Sequence, residues 1–149
     1  VNDVEVASAG IDEPGWLPGC KRFAELVLCA RKIDKWELSI LLTNDETIQQ
    51  LNRHYREMNA PTDVLSFTQD PDYAIAVGEG NTPAGDVVIS VQTCRRNAEA
   101  RGIPEEEELK RLLIHGILHL EGMDHEDEHS EMIRLQEKIL NDLKEESIF

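Results

Sequence analysis

The sequence predicts an α+β fold, a small mixed β-sheet covered by helices, and three observations lead there. Short runs with a two-residue apolar period interrupt longer runs with a helical period. They follow one another in the order α, β, α, β, β, α, α, α, which suits helices layered on a single sheet. No internal repeat, low-complexity tract or Pro/Gly/Ser linker divides the chain, so residues 1–149 are expected to form one domain with a substantial core.

Taken in order, Cys20, Phe23, Ala24, Val27 and Ala30 recur with helical spacing and predict a helix over about 18–32. In WELSILLTN, Trp36, Leu38, Ile40 and Leu42 alternate with other residues, the pattern of a strand. Asn44 is a suitable N-cap for the next helix, with Asp45 and Glu46 at its positive end and Ile48, Leu51, Tyr55 and Met58 along one stripe. Pro61 should end it nearby. DVLSFT and DVVISV are β-branched and aromatic runs that read as two strands, with a Gly/Pro/Asp-rich loop over about 69–85 between them. QTCRRNAEARG predicts a helix closed by Gly102. Pro104 and the acids Glu105 to Glu108 then open a helix that runs into LLIHGILHL. A last amphipathic helix over about 129–144 offers Met132, Ile133, Leu135 and Leu140.

Composition narrows the function classes. The first twenty residues contain no Lys or Arg, four acids and no leader-like apolar run, and no later stretch approaches the roughly 18 apolar residues of a membrane span. A soluble, cytoplasmic protein is expected, with no membrane partner. Cys20, Cys29 and Cys94 form no C-x-x-C pair, and an odd number suits buried thiols in a reducing compartment better than a disulfide framework. A net charge of −15 opposes any broad electrostatic hold on nucleic acid. The charge is segregated, however: residues 121–146 hold ten acids against three bases, and residues 21–56 hold seven bases against five acids. Most of these charges are expected on solvated helix faces, leaving room for one local basic surface.

The chemistry concentrates in LLIHGILHLEGMDH, residues 112–125. His115 and His119 are four apart, so on a helix they point about 40° from one another and lie roughly 6 Å apart along the axis. The residues around them are apolar, and a buried imidazole without a partner would cost a few kcal/mol. Gly122 follows where a residue free to adopt positive φ can turn the chain back and bring His125 to the same point. Three neutral imidazoles converging in this way suit one Zn²⁺ with an open fourth position. His129 is the competing ligand, in an acidic segment where a surface role fits better, and His54 is read as an ordinary surface residue.

HGILHLEGMDH has the spacing of the zinc peptidase signature H-E-x-x-H-x-x-G-x-x-H, but Gly116 stands where the peptidases carry their general base. Glu121 lies on another side of the helix and does not replace it. HGILHLEGMDH, LNRHYREMNAPTDVLSF and GDVVIS together resemble the YbeY-type endoribonucleases, metalloproteins of rRNA maturation and ribosome quality control. The resemblance implies His115, His119 and His125 as zinc ligands and Arg56 as a catalytic arginine near the metal. It also implies single-stranded RNA or rRNA as substrate, with the small ribosomal subunit and an Era-like GTPase as partners. Asn59, Thr68 and Met123 depart from the usual family residues without touching a ligand. Asp63 and Asp86 fall in the same motifs, where turn-capping or support of a ligand suits them better than proton transfer. Two other readings stay open: a peptidase-like zinc hydrolase, and a non-catalytic module of ribosome assembly that uses zinc only to hold its C-terminal region.

Overall fold

The computed structural model describes residues 1–68, 81–123 and 131–149. Its elements are β1 (Asp3–Ser8), α1 (Leu17–Ala30), β2 (Trp36–Thr43), α2 (Asp45–Arg56), β3 (Val64–Thr68), β4 (Thr82–Ser90), α3 (Val91–Arg101), α4 (Glu105–Leu120) and α5 (Glu131–Asp142). One four-stranded sheet carries them, in the order β1-β2-β4-β3. β1 and β4 flank β2 in parallel, and β3 runs antiparallel to β4, so the sheet is mixed as the sequence predicts.

The two faces of the sheet are covered unequally. Leu38, Ile40 and Leu42 of β2, with Val87 and Ile89 of β4, join α1, α4 and α5 in the large core. Their alternate neighbours face the other way, where Ile48 of α2 packs on Leu65 and Val88 in a much smaller cluster. The strand period of two thus assigns β4 a heavily buried side toward α4 and a lightly covered side toward α2. Helix α4 is the buried one: Leu109, Leu112, Leu113, Ile114, Ile117, Leu118 and Leu120 are all in the core.

Local signals account for most element ends. The Asn44 side chain accepts from the Thr47 amide at 2.8 Å and caps α2. Gly102 ends α3 at φ 68°. Gly122, at φ 98°, turns the chain after α4, and the amide of Met123 reaches back to the carbonyl of Leu118 at 3.2 Å. Both glycines adopt the positive φ that the sequence indicates.

Four expectations are corrected. The strand β1 is not predicted by the sequence pattern, in which this segment stands out only as acidic and leaderless. Val4 and Val6 alternate with exposed Asp3, Glu5 and Ala7 because one side faces solvent, and within the strand Val4 alone is buried. β4 begins at Thr82, inside the expected loop, and a register irregularity opposite Glu37 and Leu38 accommodates Pro83 and Gly85. Helix α2 stops at Arg56 because Glu57 adopts the left-handed conformation at φ 58°, leaving Met58 outside the helix and both Tyr55 and Met58 about 60% exposed. Cys20 and Cys94 are buried, and burial pushes both thiols up to about 12, but Cys29 is exposed.

Candidate active site

In the C-terminal half of α4 two imidazoles interrupt the apolar surface. His115 and His119 are half-buried between fully buried neighbours, and their rings meet edge to face with centroids 4.8 Å apart. They line a cavity of about 340 Å³ whose other walls include Asn52 and Arg56 of α2, the loop 58–63, and Val64 to Ser66 of β3. Arg56 and the two histidines, far apart in sequence and on opposite sides of the sheet, therefore meet at one opening beside β3.

Each wall has its own physical cause. Gly116 lets α4 approach the sheet: a Cβ there would lie 2.7 Å and 3.0 Å from the two methyl groups of Val87 and 3.3 Å from the Ser66 hydroxyl. Ser66 uses that contact to donate from Oγ to the Gly116 carbonyl at 3.1 Å. The Ser66 carbonyl accepts from Arg56 Nη2 at 2.9 Å, and the guanidinium carbon stands 6.0 Å from the centre of the Phe67 ring. Ser66 thus links the histidine helix to the arginine. On the loop, buried Asn52 donates to the Ala60 carbonyl at 2.9 Å and its own carbonyl accepts from Met58. Asp63 accepts from the Val64 amide at 2.8 Å and from Asn97 Nδ2 at 3.2 Å, a turn-holding role.

The histidine pair fits a divalent metal by its donor chemistry. His115 Nδ1 lies 2.7 Å from the amide oxygen of Gln136, so its proton belongs on Nδ1 and the lone pair on Nε2. Among the described residues no group of three or more His, Cys, Asp or Glu could hold an ion. His125, and its competitor His129, lie outside those residues.

A family profile described as Endoribonuclease YbeY matches residues 7–144. The chain belongs to the endoribonuclease YbeY family. An endoribonuclease YbeY of Treponema pallidum is 45% identical over 142 residues, which cover 94% of this chain and 89% of that protein. The corresponding protein of Aquifex aeolicus is 41% identical over 126 residues, 83% of this chain and 81% of its own. In three dimensions the chain resembles a Thermotoga maritima protein solved in solution, with TM-score 0.66 and 25% identity over 95% of this chain and 90% of that one.

Within this YbeY-family chain, the peptidase reading meets a second obstacle beyond the missing side chain. Position 116 points at Val87 and Ser66, so a glutamate there would collide with the sheet. Glu121 is engaged elsewhere, in a two-point ion pair with Arg31 at 2.8 and 3.0 Å. Other sequence candidates stay out of the cavity. Asp86 lies on the α2 side of the sheet in a groove with Tyr55 and Phe67, and burial pushes its carboxyl up. His54 is exposed and packs edge-on against Tyr55. Of the seven bases in residues 21–56, only Arg56 lines the cavity, and Arg22 and Arg31 are committed to Glu146 and Glu121.

Sequence reasoning missed Gln136. It occupies the buried stripe of α5 beside Met132, Ile139 and Leu140, whereas the sequence pattern predicts Met132, Ile133, Leu135 and Leu140 for that face. A polar residue at the i+4 position from Met132 was the available signal.

Proposed function

We propose that the protein is a metal-dependent endoribonuclease of rRNA maturation that cleaves single-stranded RNA at the cavity shared by Arg56, His115 and His119, with residues 1–149 acting as one catalytic domain. The observation that supports it is the convergence of a guanidinium with a pair of ligand-type imidazoles, in a chain of this family. His115, His119 and His125 are the residues that would hold the metal, and zinc is the ion their nitrogen donors suit best. When bound, the ion supplies Lewis acidity toward a phosphoryl oxygen.

The chain's own residues do the rest. Arg56 presents a planar fork of donors that can hold two phosphate oxygens at once, and its bond to the Ser66 carbonyl aims that fork while leaving other N–H groups for the substrate. Seating on the Phe67 face keeps the guanidinium at the rim of the opening, where the backbone of an RNA strand can reach it. With a net charge of −15, affinity cannot come from the surface as a whole. Contact is confined to this cavity, intrinsic binding is weak, and targeting depends on protein partners. The small ribosomal subunit and an Era-like GTPase are the partners proposed by family resemblance. The setting is the cytoplasm; no helix among the described residues is long and apolar enough to cross a membrane.

The deciding experiment offers a structured rRNA fragment, an unstructured RNA and a denatured protein, each with and without chelator. Chelator-sensitive cutting of the unstructured RNA is expected. Chelator-sensitive proteolysis without RNA cleavage would reverse the reading in favour of a peptidase. Unfolding on chelation with neither substrate cut would leave a metal-stabilised assembly module.

A further inference from the structure

Gln136 places an amide in the apolar interface between α4 and α5 with only 6% of its surface exposed. Left unpaired, such a group would carry the full penalty of its lost hydration. It is paired at both ends. Its oxygen lies 2.7 Å from His115 Nδ1, and its Nε2 donates to Glu137 Oε2 at 3.1 Å. These two contacts fix which way the amide faces, because a carboxylate only accepts: the NH₂ must turn to Glu137 and the oxygen to His115.

Glu137 is itself held. Arg111 grips it with Nε at 3.0 Å and Nη2 at 3.1 Å, and the remaining fork of Arg111 reaches Glu108 Oε1 at 3.1 Å. Glu108 is 1% exposed and also accepts from Arg101 at 3.2 Å. Burial works against the Glu137 charge, yet the hydrogen bonds from Arg111 and Gln136 hold its carboxyl below the usual range. A continuous line of charge-assisted and neutral hydrogen bonds therefore runs from a buried carboxylate in α4, through α5, to an imidazole of the cavity.

We propose that Gln136 is a positioning residue for the metal site: oriented by Glu137, Arg111 and Glu108, it holds His115 in the tautomer protonated at Nδ1, so that Nε2 carries the lone pair. The inference rests on the reading of His115 as a ligand. Outer partners of this kind fix ring orientation and raise ligand basicity. The chain also makes the docking of α5 a condition for a well-formed site, since the acceptor comes from α5 and is oriented by Glu137 of the same helix, which Arg111 of α4 holds in place.

The test uses Gln136→Leu, which preserves bulk and removes the acceptor. Long-range ¹⁵N–¹H spectra of the metal-free protein report the His115 tautomer, and competition with a chromophoric chelator reports zinc affinity. In the unaltered protein His115 shows the Nδ1–H pattern; in Gln136→Leu it moves toward Nε2–H, and the zinc Kd rises about 10–100-fold. Gln136→Glu restores an acceptor and recovers the tautomer and most of the affinity, which a role in packing alone would not produce. Should the leucine variant fail to fold, Glu137→Ala carries the test on the same two readouts, since this side chain is about half exposed and its loss opens no core cavity. An unchanged tautomer and Kd in a folded variant would overturn the proposal. Zinc binding that survives His119→Ala undiminished instead overturns the ligand reading, while the tautomer measurement still judges Gln136 by itself.

Discussion

His115 and His119 stand on a helix fixed along its length, whereas Arg56 ends a helix that is exposed from Arg53 onward. Behind the histidines lie the largest core of the protein, the close Gly116 contact with the sheet, and the hydrogen-bonded line through Gln136. Behind Arg56 lie one bond to the Ser66 carbonyl and the ring of Phe67. The difference suits the two tasks proposed for them. A metal site tolerates little positional error and benefits from ligands locked before the ion arrives. A phosphate grip must admit and release a polymer, and a guanidinium on an exposed rim can adjust to it without disturbing the core.

The largest expected effect breaks the rigid side. His119→Ala should abolish stoichiometric zinc, measured by elemental analysis after purification without metal-affinity resin, and remove detectable RNA cleavage while the fold persists. Retention of full zinc by that variant would sink the assignment. Next comes the adaptable side. Arg56→Ala should keep zinc and the thermal midpoint, because few contacts are lost, yet lower kcat by about 10²–10³-fold, the usual consequence of removing one charged contact to a developing phosphoryl charge. Arg56→Lys should recover only part of it, since an ammonium lacks the two-point grip. Full activity in Arg56→Ala would strike the arginine from the mechanism and leave the histidine side alone.

How much of this was legible in the sequence differs between the same two sides. The His115 and His119 pair is written locally, as four-residue spacing inside an apolar run, and Gly122 marks the turn after it. Arg56 was legible only through resemblance, because its meeting with the histidines is made by tertiary packing around β3. Gln136 escaped altogether: on a hydropathy pattern it is a polar interruption of a stripe, and its meaning appears only when His115 is found opposite. β1 escaped for a related reason. A six-residue strand with acids at alternate positions reads as surface until its pairing with β2 supplies the buried side. The reading of Gly116 was correct in outcome but incomplete in cause, since absence of a catalytic glutamate and close helix–sheet packing leave the same letter in the sequence.

Gly116 offers the third and more moderate perturbation. Alanine in place of a mid-helix glycine gains up to about 1 kcal/mol of helix propensity. The added methyl would sit 2.7 Å from a Val87 methyl carbon, and forcing such a group into a packed interface costs about 1–3 kcal/mol. The second term wins, so Gly116→Ala should lower the thermal midpoint by several degrees and weaken zinc affinity by displacing α4. A variant as stable as the parent, with unchanged zinc affinity, would show that α4 is less tightly seated than the comparison requires.

The smallest effect probes where the two sides are alike. Each of the helices that carry the site is anchored at its far, N-terminal end by a carboxylate. Partial burial of Asp45 of α2 opposes its charge, but hydrogen bonds from Ser90, Thr93 and Arg96 prevail and hold it below the usual range. Glu106 of α4 is lowered chiefly by the backbone amide of Phe149, with that of Ile148 assisting against burial. A carboxyl depressed in the folded state contributes stability that is fully present above its unfolded value, about 4 to 4.5, and is lost as pH falls through the lower folded value. Thermal midpoints of the metal-free protein followed from about pH 6 downward should therefore hold steady and then decline below about 4.5. Asp45→Asn and Glu106→Gln should each flatten that decline to a similar degree. Neither should change zinc affinity at neutral pH, because both anchors lie away from the cavity lining. A large loss of zinc affinity in Glu106→Gln alone would mean that the rigidity of the histidine side depends on its distant end, and not on the sheet contact and the Gln136 line beside the imidazoles.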